Sequence, residues 1–281
     1  MRRAVHIAVD AFWHFLADDG WAIASHIALS ALMALFPFFI VLTSLAGLIF
    51  GSADLADVVA KLMLATWPEE VAQPISREIH NVLASNHTRA LTISALLAVY
   101  FASSGVESLR IGLNRAYNGV ETRHWLLLRL ESIGYVLVAA VGLLALAFLV
   151  VLGPLLFRTA LRYAPWLEPL EGQFTFFRFT IATVVLTLAL LVAHKWLPAG
   201  RRRVVEILPG IVATLVLWIV TGIAFGRYLA EYSFAYVNTY AGLASAMVAL
   251  VFLYWTATIF VYGGELNTAI FRPRPLKGQQ T

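Results

Sequence analysis

The chain has 281 residues, of which 60% are hydrophobic and 13% charged, and its mean hydropathy is +0.80. An average soluble domain is about 45–50% apolar, so this composition excludes an ordinary soluble domain and indicates a membrane protein. The net charge of +4 is compatible with nucleic-acid binding, but cytoplasmic loops of membrane proteins carry the same basic excess, so we expect no nucleic-acid partner. The absence of cysteine excludes disulfides, thiolate metal sites and cysteine nucleophiles.

The first residues predict a helix that lies in the membrane interface ahead of the first span. Charged residues surround a single apolar face within residues 1–20. Such a helix is expected to rest its apolar face in the headgroup region without crossing the bilayer. The apolar face consists of Val5, Val9, Phe12 and Leu16.

The first membrane span is predicted at residues 26–50, with Pro37 in its interior. Proline has no N–H and its ring crowds the preceding turn, so we expect a helix kink there, and packing is favoured over gating as its role. In residues 52–88, apolar residues recur at helical spacing on both sides of Pro68. They predict two short amphipathic helices that lie on the membrane surface or cap the bundle.

The second span, at about residues 90–109, leads into the densest polar pattern of the chain. Its polar residues follow one another at steps of three and four, which places them on one helical face. This polar seam either lines a pathway or supplies hydrogen bonds that hold the helices together. The seam comprises Tyr100, Ser103, Glu107, Arg110 and Asn114.

Three further spans are predicted at about residues 133–157, 176–196 and 204–225. The first of these is almost wholly apolar and is expected to face lipid. In the last, Gly222 and Gly226 have the spacing that lets two helices approach closely. His26 and His194 lie near the ends of their helices, where we expect solvated or interfacial side chains.

The sixth span, at about residues 241–270, holds one ionisable side chain, Glu265. An unpaired carboxylate in a bilayer is costly, so we expect Glu265 to meet water or a partner. It is either a proton or substrate site or a helix-end carboxylate paired with an arginine. We predict Arg110 as that partner, with Glu107 competing for it. The polar stripe that ends at Glu265 also contains Tyr254, Thr258 and Tyr262.

Lysine and arginine positions predict the orientation. Most of the 20 such residues fall on one side of the membrane if the N-terminus is cytoplasmic. The positive-inside rule then gives six spans, cytoplasmic termini and one domain over residues 1–281. The cluster Arg201, Arg202 and Arg203 serves chiefly to set this orientation, with contact to anionic lipid headgroups as a second role.

Six short motifs, taken in order, resemble a known family. They are Ala28-Leu29-Ser30-Ala31-Leu32 through Phe36-Pro37, Ser103-Ser104-Gly105, Gly112-Leu113-Asn114-Arg115-Ala116-Tyr117, Leu197-Pro198, Leu208-Pro209-Gly210 and Gly263-Gly264-Glu265-Leu266-Asn267. Over nearly the whole chain they resemble the YihY/BrkB family of bacterial inner-membrane proteins. The resemblance implies six helices in the inner membrane. It also implies transport or lipid handling as the usual suspicion, the family's older ribonuclease label being regarded as mistaken.

The sequence contains no HExxH, GxSxG or P-loop motif, so we expect neither an enzyme nor a cofactor or metal site. Our leading hypothesis is a transporter-type protein that moves or gates a small solute or a lipid. Its site would be lined by the second, sixth and first spans. The alternative is a non-transporting scaffold that supports envelope assembly. Both hypotheses place the chain in the lipid bilayer and are compatible with a homo-oligomer.

Overall fold

The computed structural model describes residues 2–50, 88–240 and 244–271. All regular structure in these residues is helical. A π-helical turn, Phe148–Leu152, joins α4 to α5, and a 3-10 segment, Pro165–Leu170, joins α5 to α6. The helices are α1 Arg2–Ala17, α2 Gly20–Phe50, α3 Thr88–Ala116, α4 Trp125–Ala147, α5 Gly153–Tyr163, α6 Glu171–Trp196, α7 Val204–Tyr240 and α8 Ala244–Phe271.

The chain is an all-α polytopic membrane protein, which confirms the predicted fold class. Five stretches of the described chain are long and apolar enough to cross a bilayer. The helix α2 adds 31 residues that include the predicted first span, and the total of six spans stays a prediction. The five stretches are Thr92–Ala116, Trp125–Tyr163, Pro165–Trp196, Val204–Glu231 and Ala246–Phe271.

Several helices extend beyond the predicted spans, whose bounds stay predictions. The third span was expected at residues 133–157, but its helix begins at Trp125 because that loop ends sooner than the hydropathy pattern indicates. The fifth span was expected to end at residue 225, but α7 continues to Tyr240. The two short helices predicted between the first and second spans lie outside the described residues, apart from Thr88 at the start of α3. The helix α2 continues through Pro37, whose side chain is buried, and a kink there stays a prediction.

The helices pack most closely at one end of the bundle. There α2 lies between α3 and α8, α7 and α1 pack on α8, α4 packs on α3, and α6 packs on α7. We call this the inner end: it contains the start of α2, α4 and α7 and the end of α3, α6 and α8. Its apolar core consists of Phe15, Ile23, Ala24, Ile27, Leu113, Leu190, Leu197, Ile207, Ile211, Ala257, Phe260 and Val261.

Two glycines bring α7 and α8 into backbone contact at the inner end. A Cβ atom on Gly210 would overlap the Gly263 carbonyl, and one on Gly263 would overlap the Thr214 hydroxyl. Within the described chain, the close helix contact expected at Gly222 and Gly226 is not seen, because a Cβ atom on either glycine would meet nothing within 4 Å. Small residues permit close helix approach only where a second helix faces them.

Candidate functional site

The part of the polar seam between Tyr100 and Glu107 on α3 contacts α4. Arg129 of α4 donates to the Glu107 carboxylate at 2.9 Å and to the Tyr100 carbonyl at 3.3 Å. The same guanidinium lies 4.8 Å from the centre of the Tyr100 ring. Ser103 is fully buried and donates to the Tyr100 carbonyl within its own helix. These contacts match the interhelical hydrogen bonds that were one of the two predicted roles of the seam.

Arg110 also binds α4, so the predicted pairing of Arg110 with Glu265 is wrong. Its guanidinium donates to the Leu128 carbonyl and to the Ser132 hydroxyl, each at 3.1 Å, and lies 3.6 Å from Glu131. Arg110 is only 3% exposed.

The reason is the angular position of residues on α3. The side chains of α3 that meet Gly264 of α8 are Leu113 and Ala116, both buried. Arg110 precedes Leu113 by three residues, or about 60° of helical rotation, which is enough to point it at a different neighbour. Glu107 is likewise held by Arg129 and does not compete for Arg110.

Asn114, the last residue of the seam, ties together two inner loops. It donates to Glu121 at 3.3 Å and accepts the Ala199 backbone N–H at 2.6 Å. Arg123 completes the link, since it bonds Glu121 at 2.8 Å and the Leu197 carbonyl at 3.1 Å. The Arg123 guanidinium lowers the pKa of Glu121 to about 2, and the Glu121 carboxylate in turn raises the pKa of Arg123.

Side chains of α8 form a second polar network with α3, α6 and α7. Asn267 accepts the Gly210 backbone N–H at 2.6 Å and donates to the Tyr117 hydroxyl at 2.9 Å. The Tyr117 hydroxyl oxygen accepts the bond from Asn267, so its own proton is available to donate to His194 Nδ1, 2.8 Å away. Burial raises the pKa of Tyr117 above its ordinary value. His194 is fully buried, which corrects the expectation of a solvated side chain: the inner ends of α6, α7 and α8 enclose it.

The predicted stripe on α8 divides between two neighbours. Tyr262 donates to the Ala8 carbonyl at 3.1 Å and so docks α1. Thr258 is buried, and its hydroxyl has no hydrogen-bond partner within the described residues. Glu265 faces the network of Tyr117: it is 1% exposed and close enough for its charge to contribute to the raised pKa of the phenol.

A groove lined by both polar and apolar side chains lies between α2 and α3, with a volume of about 310 Å³. Only Tyr100 and Glu107 of the predicted seam reach it. Across the groove, His26 and Ser108 are joined at 2.5 Å, and because the Ser108 hydroxyl donates to a carbonyl of its own helix, His26 Nδ1 is the donor. The sequence analysis missed this groove, although the spacing of Ser104 and Ser108, four residues apart on α3, indicates a second polar face of that helix. The polar side chains that line it are His26, Ser30, Tyr100, Ser104, Glu107 and Ser108.

The three clustered arginines do not act as one group. Arg201 and Arg202 line an open cavity of about 730 Å³ between the inner loops 117–124 and 197–203. Arg203 lies outside that lining, and its backbone N–H is 3.4 Å from Glu206. The predicted contact of all three with anionic lipid stays a prediction.

The chain matches the sequence family described as Virulence factor BrkB over residues 11–280. It belongs to this family. A similar relative is the Bacillus subtilis protein named "Putative ribonuclease-like protein YfkH", which is 23% identical over 266 residues, covering 94% of this chain and 95% of that protein. No solved structure matches the chain.

In this BrkB-family chain, three of the six motifs that carried the resemblance meet at the inner end. The motif of α8 contributes Gly263 and Asn267, the motif of α7 contributes Gly210, and the motif of α3 contributes Asn114 and Tyr117. Sequence reasoning named Asn114 and Glu265 as motif residues but gave Tyr117 and Asn267 no role. A buried amide beside a glycine pair within a membrane span was the available signal.

The side chains gathered at this BrkB site form hydrogen bonds and ion pairs. Across residues 2–50, 88–240 and 244–271, His, Asp and Glu side chains do not gather in groups of three that could hold a metal ion. The ribonuclease-like name belongs to the Bacillus relative. The residues of the inner end and of α2 and α3 supply a hydrogen-bonded network between helices, a groove and a basic cavity.

Proposed function

We propose that this BrkB-family protein moves or gates a small solute or a lipid across the bacterial inner membrane. The groove between α2 and α3 is the entry to its pathway. The observation that carries this proposal is a groove along the side of α3, a helix apolar enough to span the membrane, with His26, Ser104 and Glu107 among its lining residues, and we infer that it opens toward lipid. Lateral access of this kind suits a substrate that reaches the protein from within the bilayer.

The cost of polar groups at this depth supports a functional role. His26, Ser104 and Glu107 would each lose hydration if bare lipid tails covered them, and polar groups buried in hydrocarbon are costly. From Tyr100 to Ile111 the groove follows α3 for about 17 Å, roughly half the hydrocarbon thickness. It therefore extends from near the inner end toward the middle of the bilayer. Water or a polar substrate group in the groove offsets this cost.

The alternative function is a non-transporting membrane scaffold. It is favoured by a specific observation: Glu107, Arg110 and Asn114 all have protein partners, as residues that only hold helices together would have. The two functions differ in whether water or substrate enters the groove. The scaffold needs neither.

Labelling of single cysteines distinguishes them, because the native chain has no cysteine. Tyr100→Cys and Ser104→Cys lie in the groove, whereas Val138→Cys is a lipid-facing control on α4, where the native side chain is 69% exposed. Thiols react as thiolates, which form in water and not in hydrocarbon. We expect N-ethylmaleimide to label both groove variants at least about tenfold faster than Val138→Cys in native membranes. Equal, slow labelling of all three would contradict a pathway through the groove.

The proposed orientation has a separate test. Reporter fusions after residues 120 and 200 are expected to give cytoplasmic signals and a fusion after residue 165 an external signal, because the inner end carries the basic loops. An external signal from residue 200 would reverse the assignment.

A further inference from the structure

We propose that the cavity between the inner loops 117–124 and 197–203 binds the phosphate-bearing headgroup of an anionic lipid. The cavity has a volume of about 730 Å³. That is room for roughly twenty waters, so a headgroup enters without rearrangement of the loops. The site is separate from the groove between α2 and α3, and it stands or falls independently of the proposed transport function.

The charges that face the cavity are unequal. Arg123, Lys195, Arg201 and Arg202 line it against one carboxylate, Glu121. Arg123 is neutralised, because it forms ion pairs at 2.8 Å with both Glu121 and Glu131. Arg202 contacts the protein that forms the cavity wall: it donates to the Ala199 carbonyl at 2.8 Å, and its guanidinium lies 4.1 Å from the centre of the Tyr117 ring.

Two cations are left to act on a ligand. Within the part of the chain that the structure describes, neither Lys195 nor Arg201 forms an ion pair. Arg201 is exposed and Lys195 is half-buried, so both ammonium and guanidinium groups can reach a phosphate in the cavity. A phosphate diester with one negative charge is complementary to this excess.

The loop that presents these cations is held in place before any ligand arrives. Asn114 holds the Ala199 N–H at 2.6 Å, and Arg123 holds the Leu197 carbonyl at 3.1 Å. Gly200 then turns the chain with a φ of +91°, a left-handed conformation that favours glycine. A loop fixed in this way loses little conformational entropy on binding, so more of the electrostatic attraction appears as affinity.

The position of the cavity favours a lipid over a soluble anion. It lies where α6 ends at Trp196 and α7 begins at Val204, at the boundary of two membrane-spanning stretches. Trp196 is 56% exposed beside the cavity, and the Lys195 ammonium lies 5.2 Å from its ring. Tryptophan and lysine together are typical of the headgroup level, where anionic lipids concentrate basic segments.

The chain offers a matched control for the experiment. Arg203 has the same charge and lies two residues from Arg201, but outside the cavity lining. Full-length protein in detergent is titrated with dioleoyl phosphatidylglycerol, dioleoyl phosphatidylcholine or inorganic phosphate, and bound lipid is counted by native mass spectrometry. The variants are Lys195→Gln, Arg201→Gln, Arg201→Lys and Arg203→Gln, each first checked for an unchanged melting temperature without lipid.

We expect phosphatidylglycerol to bind in preference to phosphatidylcholine. Lys195→Gln and Arg201→Gln are each expected to weaken its binding about fivefold, the effect of one basic residue near an anionic surface. Arg203→Gln and Arg201→Lys retain binding within about twofold of the native chain, since the cavity keeps its charge in both.

Three results would overturn the proposal. An equal loss in Arg203→Gln would mean that charge anywhere on this face suffices. Equal binding of phosphatidylcholine would remove the preference for an anion. Displacement of the lipid by inorganic phosphate at the same phosphate concentration would assign the cavity to a soluble anion. If Lys195→Gln does not fold, the three other variants suffice. Phosphatidylglycerol binding by Arg201→Gln is then compared with binding by Arg201→Lys and Arg203→Gln.

Discussion

The helix α8 and the α4–α5 segment differ in hydropathy and burial: the more apolar of the two is the less buried. The most apolar window of Trp125–Tyr163 has a mean hydropathy of 2.9, and none of that window is buried. The corresponding window of Ala246–Phe271 has a mean hydropathy of only 1.8, yet 44% of it is buried. In lipid there is no hydrophobic force to bring helices together, so close packing and hydrogen bonds decide which helices form the core. Of these two stretches, the less apolar one is therefore the one that packs into the core.

This difference has a chemical basis at the inner end. Buried polar side chains there include His194, Thr214 and Asn267, while exposed residues of α4 such as Val138 and Val141 are apolar. A polar side chain that contacts lipid is costly, so the polar residues of a membrane protein are mostly those buried between helices. Disrupting a contact at the inner end should therefore cost far more than the same change on α4.

The largest expected effect comes from adding a side chain to a glycine. Gly263→Leu forces atoms into the Thr214 hydroxyl and the Gly210 backbone, so we expect loss of the folded protein or a destabilisation of more than about 3 kcal/mol. Gly142→Leu on α4 is the matched control, because a Cβ at that position meets nothing within 4 Å of the described residues. Size-exclusion chromatography and melting in detergent measure both. Comparable damage from Gly142→Leu would reveal a packed partner on α4 and break the comparison.

A smaller loss is expected when the buried amide is removed. Asn267→Leu leaves the Gly210 N–H without its acceptor and removes the donor to the Tyr117 hydroxyl, which keeps its bond to His194, at a cost of about 1–3 kcal/mol. Thr183→Val is the control, since its hydroxyl bonds only the Phe179 carbonyl of its own helix and is exposed. We expect the control to lie within about 0.5 kcal/mol of the native chain in detergent melting. A neutral Asn267→Leu would show that the network does not stabilise the inner end.

The third prediction concerns the partner of Arg110. A double-mutant cycle of Arg110→Gln with Glu131→Gln is expected to give a coupling energy of about 1 kcal/mol, because the two groups are in contact. The same cycle with Glu265→Gln is expected to be additive within about 0.5 kcal/mol, since Arg110 is directed at α4. Coupling to Glu265 in place of Glu131 would restore the pairing that the sequence pattern predicts.

Much of the fold could be predicted because each signal was local. Long apolar runs gave the helices, and steps of three and four placed Tyr100 to Asn114 on one face. The end of α7 was missed because Arg227 and Glu231 lower the hydropathy of a segment that is still helical. Hydropathy indicates which residues suit lipid. A helix, by contrast, continues as long as its backbone hydrogen bonds form, so it can extend beyond the apolar segment.

The candidate site was harder to predict because the helical period does not identify the neighbouring helix. Arg110 and Leu113 differ by a small rotation, yet the first meets α4 and the second meets α8. Likewise His26 and Ser108 are far apart in sequence and become neighbours only when α2 packs on α3. Contacts of this kind depend on helix crossing positions, which a single sequence does not contain.

The smallest effect is expected from acid, and it tests the loops of the inner end. Bonding to Arg123 lowers the pKa of Glu121 to about 2 in the folded chain, against about 4.5 when unfolded. A lowered folded pKa gives stability that is fully present above pH 4.5 and is lost as the pH falls toward 2. Because the pair is partly exposed, we expect a contribution of only about 1 kcal/mol. Glu121→Gln should remove that share of the pH dependence of detergent melting between pH 4.5 and 2. An identical pH profile for Glu121→Gln and the native chain would show that the loop pair does not stabilise the inner end.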